Sequence, residues 1–205
     1  MKRLFISIFL IFPLIVVADE YREDFSFTEQ PYVHPNVVAA FDTLADTGHL
    51  ITAINLPDAN DSNLYYGDYR VRSEWVENVP EEDGCSFGYS HRGVSDSGIH
   101  ALLTYGHCGG SGTYYSIMLV KLERDPAYEI RHGNLLRRTK MKEYPRFVIK
   151  LMGTMAIGDR WSGPVMLKDN RLHVGPNTGA FAGKETGNPF QDAKEEIVID
   201  LSQQE

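Results

Sequence analysis

Residues 85–108 read CSFGYSHRGV (85–94), SDSG (95–98) and IHALLTYGHC (99–108), and the reading of this stretch decides the fold. Two runs of apolar, aromatic and alternating polar residues flank Ser95, Asp96, Ser97 and Gly98, the residue types that turn a chain back on itself. If Val94 faces Ile99, the residue numbers of each opposed pair sum to 193, and Cys85 falls opposite Cys108. Directly opposed strand residues lie about 4.5 to 5.5 Å apart at the α-carbon, a span that a disulfide bridges. The spacing therefore predicts a cross-strand Cys85–Cys108 bond. The competing chemistry, Cys108 beside His107 as a metal ligand or nucleophile, needs a thiolate kept reduced.

The same register places Cys85, Phe87, Tyr89 and His91 on one face with His100, Leu102, Thr104 and Cys108, with His91 diagonal to His100. Two imidazoles near a hairpin tip suit a proton shuttle or part of a metal site, which makes His91, His100 and His107 the catalytic candidates. A metal needs three or four ligands, and the spacing does not fix whether an acid such as Asp96 reaches the two histidines, so neither metal nor cofactor is assigned. The plainer account is polar side chains where a sheet face meets solvent.

Working outward, β-rich segments recur near 50–56, 65–76, 114–122, 147–157, 165–168, 171–174 and 197–201, separated by short turn-rich pieces such as Pro57 to Asn63 and Asp169 with Asn170. Such short connections imply antiparallel neighbours rather than crossover helices. From His34 to Gly48 the period changes. Pro35 stands at a first helical position, Val37, Val38, Phe41, Leu44 and Ala45 recur three and four apart, and Gly48 ends the run. Asn188 and Pro189 open a further short helix in this reading. The expected fold is mainly β (α+β): an antiparallel sheet system, sandwich or open barrel, with one packed amphipathic helix near the N-terminus of the mature chain.

At the start of the chain, Lys2 and Arg3 precede an almost wholly apolar run from Leu4 to Val17, and Val16 and Ala18 offer a small-residue cleavage site before Asp19. Residues 1–18 read as a signal peptide and 19–205 as a single compact β-rich domain, secreted or periplasmic, where a disulfide is chemically reasonable. The apolar run carries Pro13 and falls short of the roughly 20 residues of a membrane span, so none is expected after cleavage. Loss of Lys2 and Arg3 takes the basic count from 20 to 18 against 28 acids, a formal charge of −10. That balance repels nucleic acid and anionic lipid.

Against it stands a local basic run, Arg131, Arg137, Arg138, Lys140, Lys142 and Arg146, interrupted only by the acid Glu143. Its first four members are the binding candidates, set against the plainer account of a solvated strand and loop. Tyr65, Tyr66, Tyr69, Trp75, Tyr114 and Tyr115 could line a groove or simply pack a sheet. Trp161, bracketed by Gly158 and Gly163, reads as a turn anchor over the core. Gly106, Gly109, Gly110 and Gly112 would let backbone amides approach an anion, but no helix follows them, so a connection between strands is the simpler account. Around Ser90, Arg92 stands where a nucleophile elbow needs its second glycine, and Asn60 opens an Asn-X-Ser sequon. With no catalytic motif intact, the reading weighs against an enzyme. It favours an exported binding or interaction protein that meets another exported protein or an extracellular ligand. The alternative is an exported hydrolase using the histidines at the hairpin tip, metal-assisted or not, and a third is a component of an envelope assembly.

Overall fold

The computed structural model describes residues 32–42, 51–57, 68–80, 84–132 and 139–202, and within the strands the side chains of 129–132, 139–140 and 144–145 are not described. The leader-like segment 1–18, the sequon at Asn60, and Tyr65, Tyr66, Arg137 and Arg138 lie outside this set. Strand makes up 54% and helix 5%, so the framework is sheet.

The elements are α1 (Pro35–Ala39), β1 (Ala53–Asn55), β2 (Tyr69–Arg72), β3 (Trp75–Asn78), β4 (Ser86–Val94), β5 (Ile99–His107), β6 (Tyr114–His132), β7 (Thr139–Asp159), β8 (Val165–Lys168), β9 (Arg171–Val174) and β10 (Ile197–Asp200). The first seven strands form one curled antiparallel sheet in the order β1-β7-β6-β5-β4-β3-β2, and β10-β9-β8 form a second. Alternation of side chains divides the large sheet into two faces. Phe87, Tyr89, Leu102, Met118, Val120, Phe147 and Ile149 pack beneath α1 with Val33, Val37, Val38 and Phe41. Ala101, Leu103, Ile117 and Ile157 pack on the other face against Val165, Leu167, Leu172 and Val174, with Trp161 buried among them as the anchor its setting suggested. No helix among the described residues is long and apolar enough to cross a membrane.

The central hairpin keeps the expected register from Ser86↔His107 through His91↔Leu102, then slips by one residue, so that Val94 faces His100 instead of Ile99. The slip is a β-bulge at Gly93, whose φ of 123° favours glycine and whose α-carbon is crowded by β8. A side chain there would meet the Leu167 carbonyl oxygen at 2.3 Å. The tip then closes with Ser95 opposite Ile99, the Ser95 amide donating to the Ile99 carbonyl at 2.8 Å.

Three other expectations are corrected. Among the described residues of the helical pattern from His34, α-helix is limited to the five residues of α1, while Leu44, Ala45 and Gly48 lie outside the described set. The amides of Phe41 and Asp42 then bond three residues back, to Val38 and Ala39, which tightens the chain out of the α-helix. Residues 65–76 are not one strand: β2 and β3 form a hairpin about Ser73 and Glu74, and Ser73 has φ 56°. At Asn188 the side chain accepts from the amides of Phe190 and Gln191, yet the result is a single turn, held by the Asp192 amide on the Asn188 carbonyl, not a helix.

Strands β6 and β7 also run much further than the apolar segments that announced them, pairing from Tyr114↔Asp159 to His132↔Thr139. Beyond Glu123 this is a two-stranded ribbon, because β5 begins opposite Lys121 and β1 ends opposite Val148, the partner of Glu123. Pro126 lies opposite Pro145 within it. Prolines are tolerated there because the outer edges of a ribbon need no amide donors. On one side, Lys150 pairs with Glu123 and Arg146 with Asp125, cross-strand charge matches that hold the register.

Candidate functional site

The two sulfurs of Cys85 and Cys108 stand at bonding distance, 2.01 Å, one step beyond the last ladder pair Ser86↔His107. Both residues are exposed. Asn78 braces this end: its amide donates to the Cys85 carbonyl at 3.3 Å and to Asn36 of α1 at 3.1 Å, and its carbonyl accepts from the Phe87 amide at 2.8 Å.

His91 and His100 meet as their diagonal placement suggested, Nε2 to Nδ1 at 3.1 Å. A bond between two imidazoles needs one neutral acceptor nitrogen, so both rings cannot be protonated and keep it. Burial, and secondarily the neighbouring His91, push the His100 value down to about 4. His107 is not part of this pair. It stands at the opposite end of β5, with Nδ1 2.7 Å from the Gly112 carbonyl oxygen. Among the described residues, no group of three or more His, Cys, Asp or Glu side chains is placed to hold a metal ion.

The glycine-rich stretch is a loop between β5 and β6, as its strand context implied. It is tied down where the Thr113 amide donates to Asp159 at 2.9 Å and the Arg160 amide donates to the Thr113 carbonyl at 2.7 Å. Of the basic run, Arg131 and Lys140 are opposed at the far end of the ribbon.

The densest meeting of chemically able side chains lies on the face of β3, β4, β5 and β6 that also carries the second sheet, where Trp75 and Tyr115 pack half-buried at the border of that core. A row crosses four strands in register, Glu77↔Gly88↔Tyr105↔Tyr115, with Trp75 two residues before Glu77 on β3. Gly88 leaves the row without a side chain, and the Tyr105 ring lies across the gap. A β-carbon at Gly88 would stand 2.4 Å from Tyr105 Cε1. The ring thus brings its hydroxyl to Glu77, donating to Oε1 at 2.8 Å, while Arg70 Nε donates to Oε2 at 2.9 Å. Arg72 Nε reaches 4.0 Å from the same carboxylate. Burial and the Glu77 partner raise the Tyr105 hydroxyl well above an ordinary tyrosine, and burial raises Tyr115.

Trp75 stands edge-on to Tyr105, with centroids 5.2 Å apart at 68°, and to Tyr115 at 6.3 Å. Tyr105 and Tyr115 are 6.1 Å apart. Such contacts contribute about 0.5–1.5 kcal/mol each beyond area burial and lock the rings. Arg92 lies 5.9 Å over the Trp75 ring and grips Glu74 with both terminal nitrogens, at 3.0 and 2.7 Å. The result is a half-buried aromatic surface rimmed by two arginine–glutamate pairs.

Of the aromatics singled out from sequence, the fold brings Trp75 and Tyr115 together here. Tyr69 points to the α1 side, edge-on to His34 at 5.5 Å, and Tyr114 stays exposed. Tyr105, Glu77 and Arg70 are not among the residues that the sequence singles out. A signal for Tyr105 was present, because the hairpin register sets a glycine opposite an aromatic residue, an opening into which a ring can lean. Nothing local in the sequence placed Glu77 beside it.

Comparison of the chain with known protein families, with curated proteins and with solved structures finds no match.

Proposed function

We propose that the chain is an exported binding protein, secreted or periplasmic, that engages another exported protein or an extracellular ligand through the face built on Trp75, Tyr105 and Tyr115. The observation that carries this reading is the convergence of a tryptophan, two tyrosines, Arg70 and Arg92 on one half-buried strand face. These residue types concentrate binding energy in protein interfaces, where rigid rings and forked guanidinium donors lose little conformational freedom on contact. Glu74 and Glu77 hold Arg92 and Arg70 in place before any partner arrives, which lowers the ordering cost of binding. Export is supported by the leader-like residues 1–18 and by a cysteine pair at bonding distance.

The test is affinity purification of the tagged full-length chain from its host's exported fraction, beside Trp75→Ala, with low-salt and high-salt washes. A stoichiometric partner retained by the parent chain and lost by Trp75→Ala supports the face. A partner indifferent to Trp75→Ala but released by salt points instead to the basic run at Arg131, Arg137, Arg138 and Lys140.

The hydrolase reading retains one observation, the His91–His100 contact. It requires bound metal or a pH-dependent turnover on ester or peptide substrates that His91→Ala with His100→Ala abolishes. A protein without either supports binding alone.

A further inference from the structure

The outer edge of β2 adjoins the aromatic face and ends the large sheet, since the strand order stops there. The two-residue turn at Ser73 and Glu74 closes on the Arg72–Trp75 pair, so Arg72 and Arg70 turn their backbone groups toward β3. By the alternation of an antiparallel ladder, Tyr69 and Val71 turn theirs outward. Among the described residues no strand pairs with that edge. Its side chains alternate in character: the Arg70 and Arg72 side chains are 43% and 66% exposed on the aromatic side, and Val71 is 45% exposed on the other. Two guanidinium groups share the single carboxylate of Glu77, which leaves a local positive surplus on a chain whose net charge is −8.

We propose that β2 is the docking edge for an extended segment of a partner protein in which acidic and apolar residues alternate, added to the large sheet as an eighth strand. The partner's acids would meet Arg70 and Arg72, its apolar residues would meet Val71, and its backbone would bond to Tyr69 and Val71. Flanking partner residues would then reach Trp75 and Tyr105. This assignment rests on the reading of the adjoining face as a contact surface and adds to it the mode of binding and the chemistry of the partner. Arginines on an edge strand ordinarily guard against unwanted pairing. On an acidic protein they also mark where an acidic segment is attracted instead of repelled.

The decisive variant is Val71→Pro. It removes one outward amide that β3 does not use, and edge strands tolerate proline there. The probe is a blocked peptide of alternating Glu and Val, compared with its Lys and Val counterpart, titrated into the isotopically labelled full-length protein while backbone amide shifts are followed. Saturable shifts centred on Tyr69 and Val71 are expected with the Glu peptide only, weakened at least about tenfold by Val71→Pro. Arg70→Glu with Arg72→Glu should exchange the preference to the Lys peptide. Equal response to both peptides, no shift at β2, or binding unchanged by Val71→Pro in a variant of parental stability overturns the proposal. Self-association abolished by Val71→Pro would assign the edge to a second copy and overturn it too. A natural partner that is lost with Trp75→Ala yet kept by Val71→Pro would leave the contact face standing and remove only the added strand.

Discussion

Tyr105 occupies the side-chain space that Gly88 leaves open on the neighbouring strand, with Cε1 2.4 Å from where a Gly88 β-carbon would be. The obstacle is a ring wedged between Trp75 and Tyr115, not the loose end of a flexible chain. Gly88→Ala should therefore displace the ring and destabilise the fold by about 1–3 kcal/mol, seen as a lower denaturant midpoint with altered Trp75 fluorescence. An unchanged midpoint would mean that the ring does not lie over Gly88.

Removing the hydroxyl isolates the polar part of the same contact. Tyr105→Phe keeps the packing but leaves Glu77, whose side chain is only 13% exposed, with Arg70 as its remaining close donor, at a cost of about 1 kcal/mol. In the parent chain an alkaline absorbance titration should show Tyr105 ionising in a late step, above the ordinary tyrosine range, because burial and the adjacent carboxylate both disfavour the phenolate. The late step should vanish in Tyr105→Phe.

His100 sets an acid limit to stability. Its value is about 4 when folded against 6.5 ordinarily, so between these pH values the unfolded chain binds the proton more readily. The stabilisation is fully present above pH 6.5, declines as pH falls through this window and is lost below about 4, amounting to about 3 kcal/mol at most. Denaturant midpoints measured from pH 7 to pH 4 should fall more steeply for the parent than for His100→Asn. Parallel profiles would sink the assignment.

The cysteine pair closes a loop with a sequence separation of 23. Chain-entropy reasoning gives about 3 kcal/mol for a loop of that size, so Cys85→Ala with Cys108→Ala should lose stability on that scale. The partial compensation expected comes from a hairpin already in register. A thiol count should find none in the denatured, unreduced protein and two after reduction.

At the bulge, Gly93→Ala meets both a φ of 123° and the Leu167 carbonyl 2.3 Å from the new β-carbon. Backbone cannot step aside as a flexible side chain can, so this change should cost more than Gly110→Ala, where the added carbon meets nothing within 4 Å. The comparison of the two midpoints checks it.

Where turn chemistry and alternation act locally, they were legible. β8 and β9 stand at the expected residues around Asp169 and Asn170, which take φ of 50° and 60°. The register that opposed Cys85 to Cys108 held along most of the hairpin. The ribbon was hidden because Pro126, Pro145 and the charges that flank them break the apolar alternation by which a strand is recognised. Those charges are satisfied across the ribbon, Glu123 by Lys150 and Asp125 by Arg146, which is visible only once the two strands are aligned. The hairpin tip departs from the expected register for a similar reason: the extra residue at Gly93 answers to Leu167, a neighbour from a different sheet.

The sequence by itself determined that this is a chain of antiparallel strands, which residues face which across the central hairpin, and that its two cysteines meet. These follow from a side-chain period of two and from turns only a few residues long. Tertiary structure alone decided which face α1 covers, which face takes the second sheet, and that Trp75, Glu77, Tyr105 and Tyr115 share one surface. Alternation names two faces for every strand but not the neighbour that covers each. That choice depends on contacts between segments far apart in the chain, and it leaves β2 at the edge with Tyr69 and Val71 turned outward.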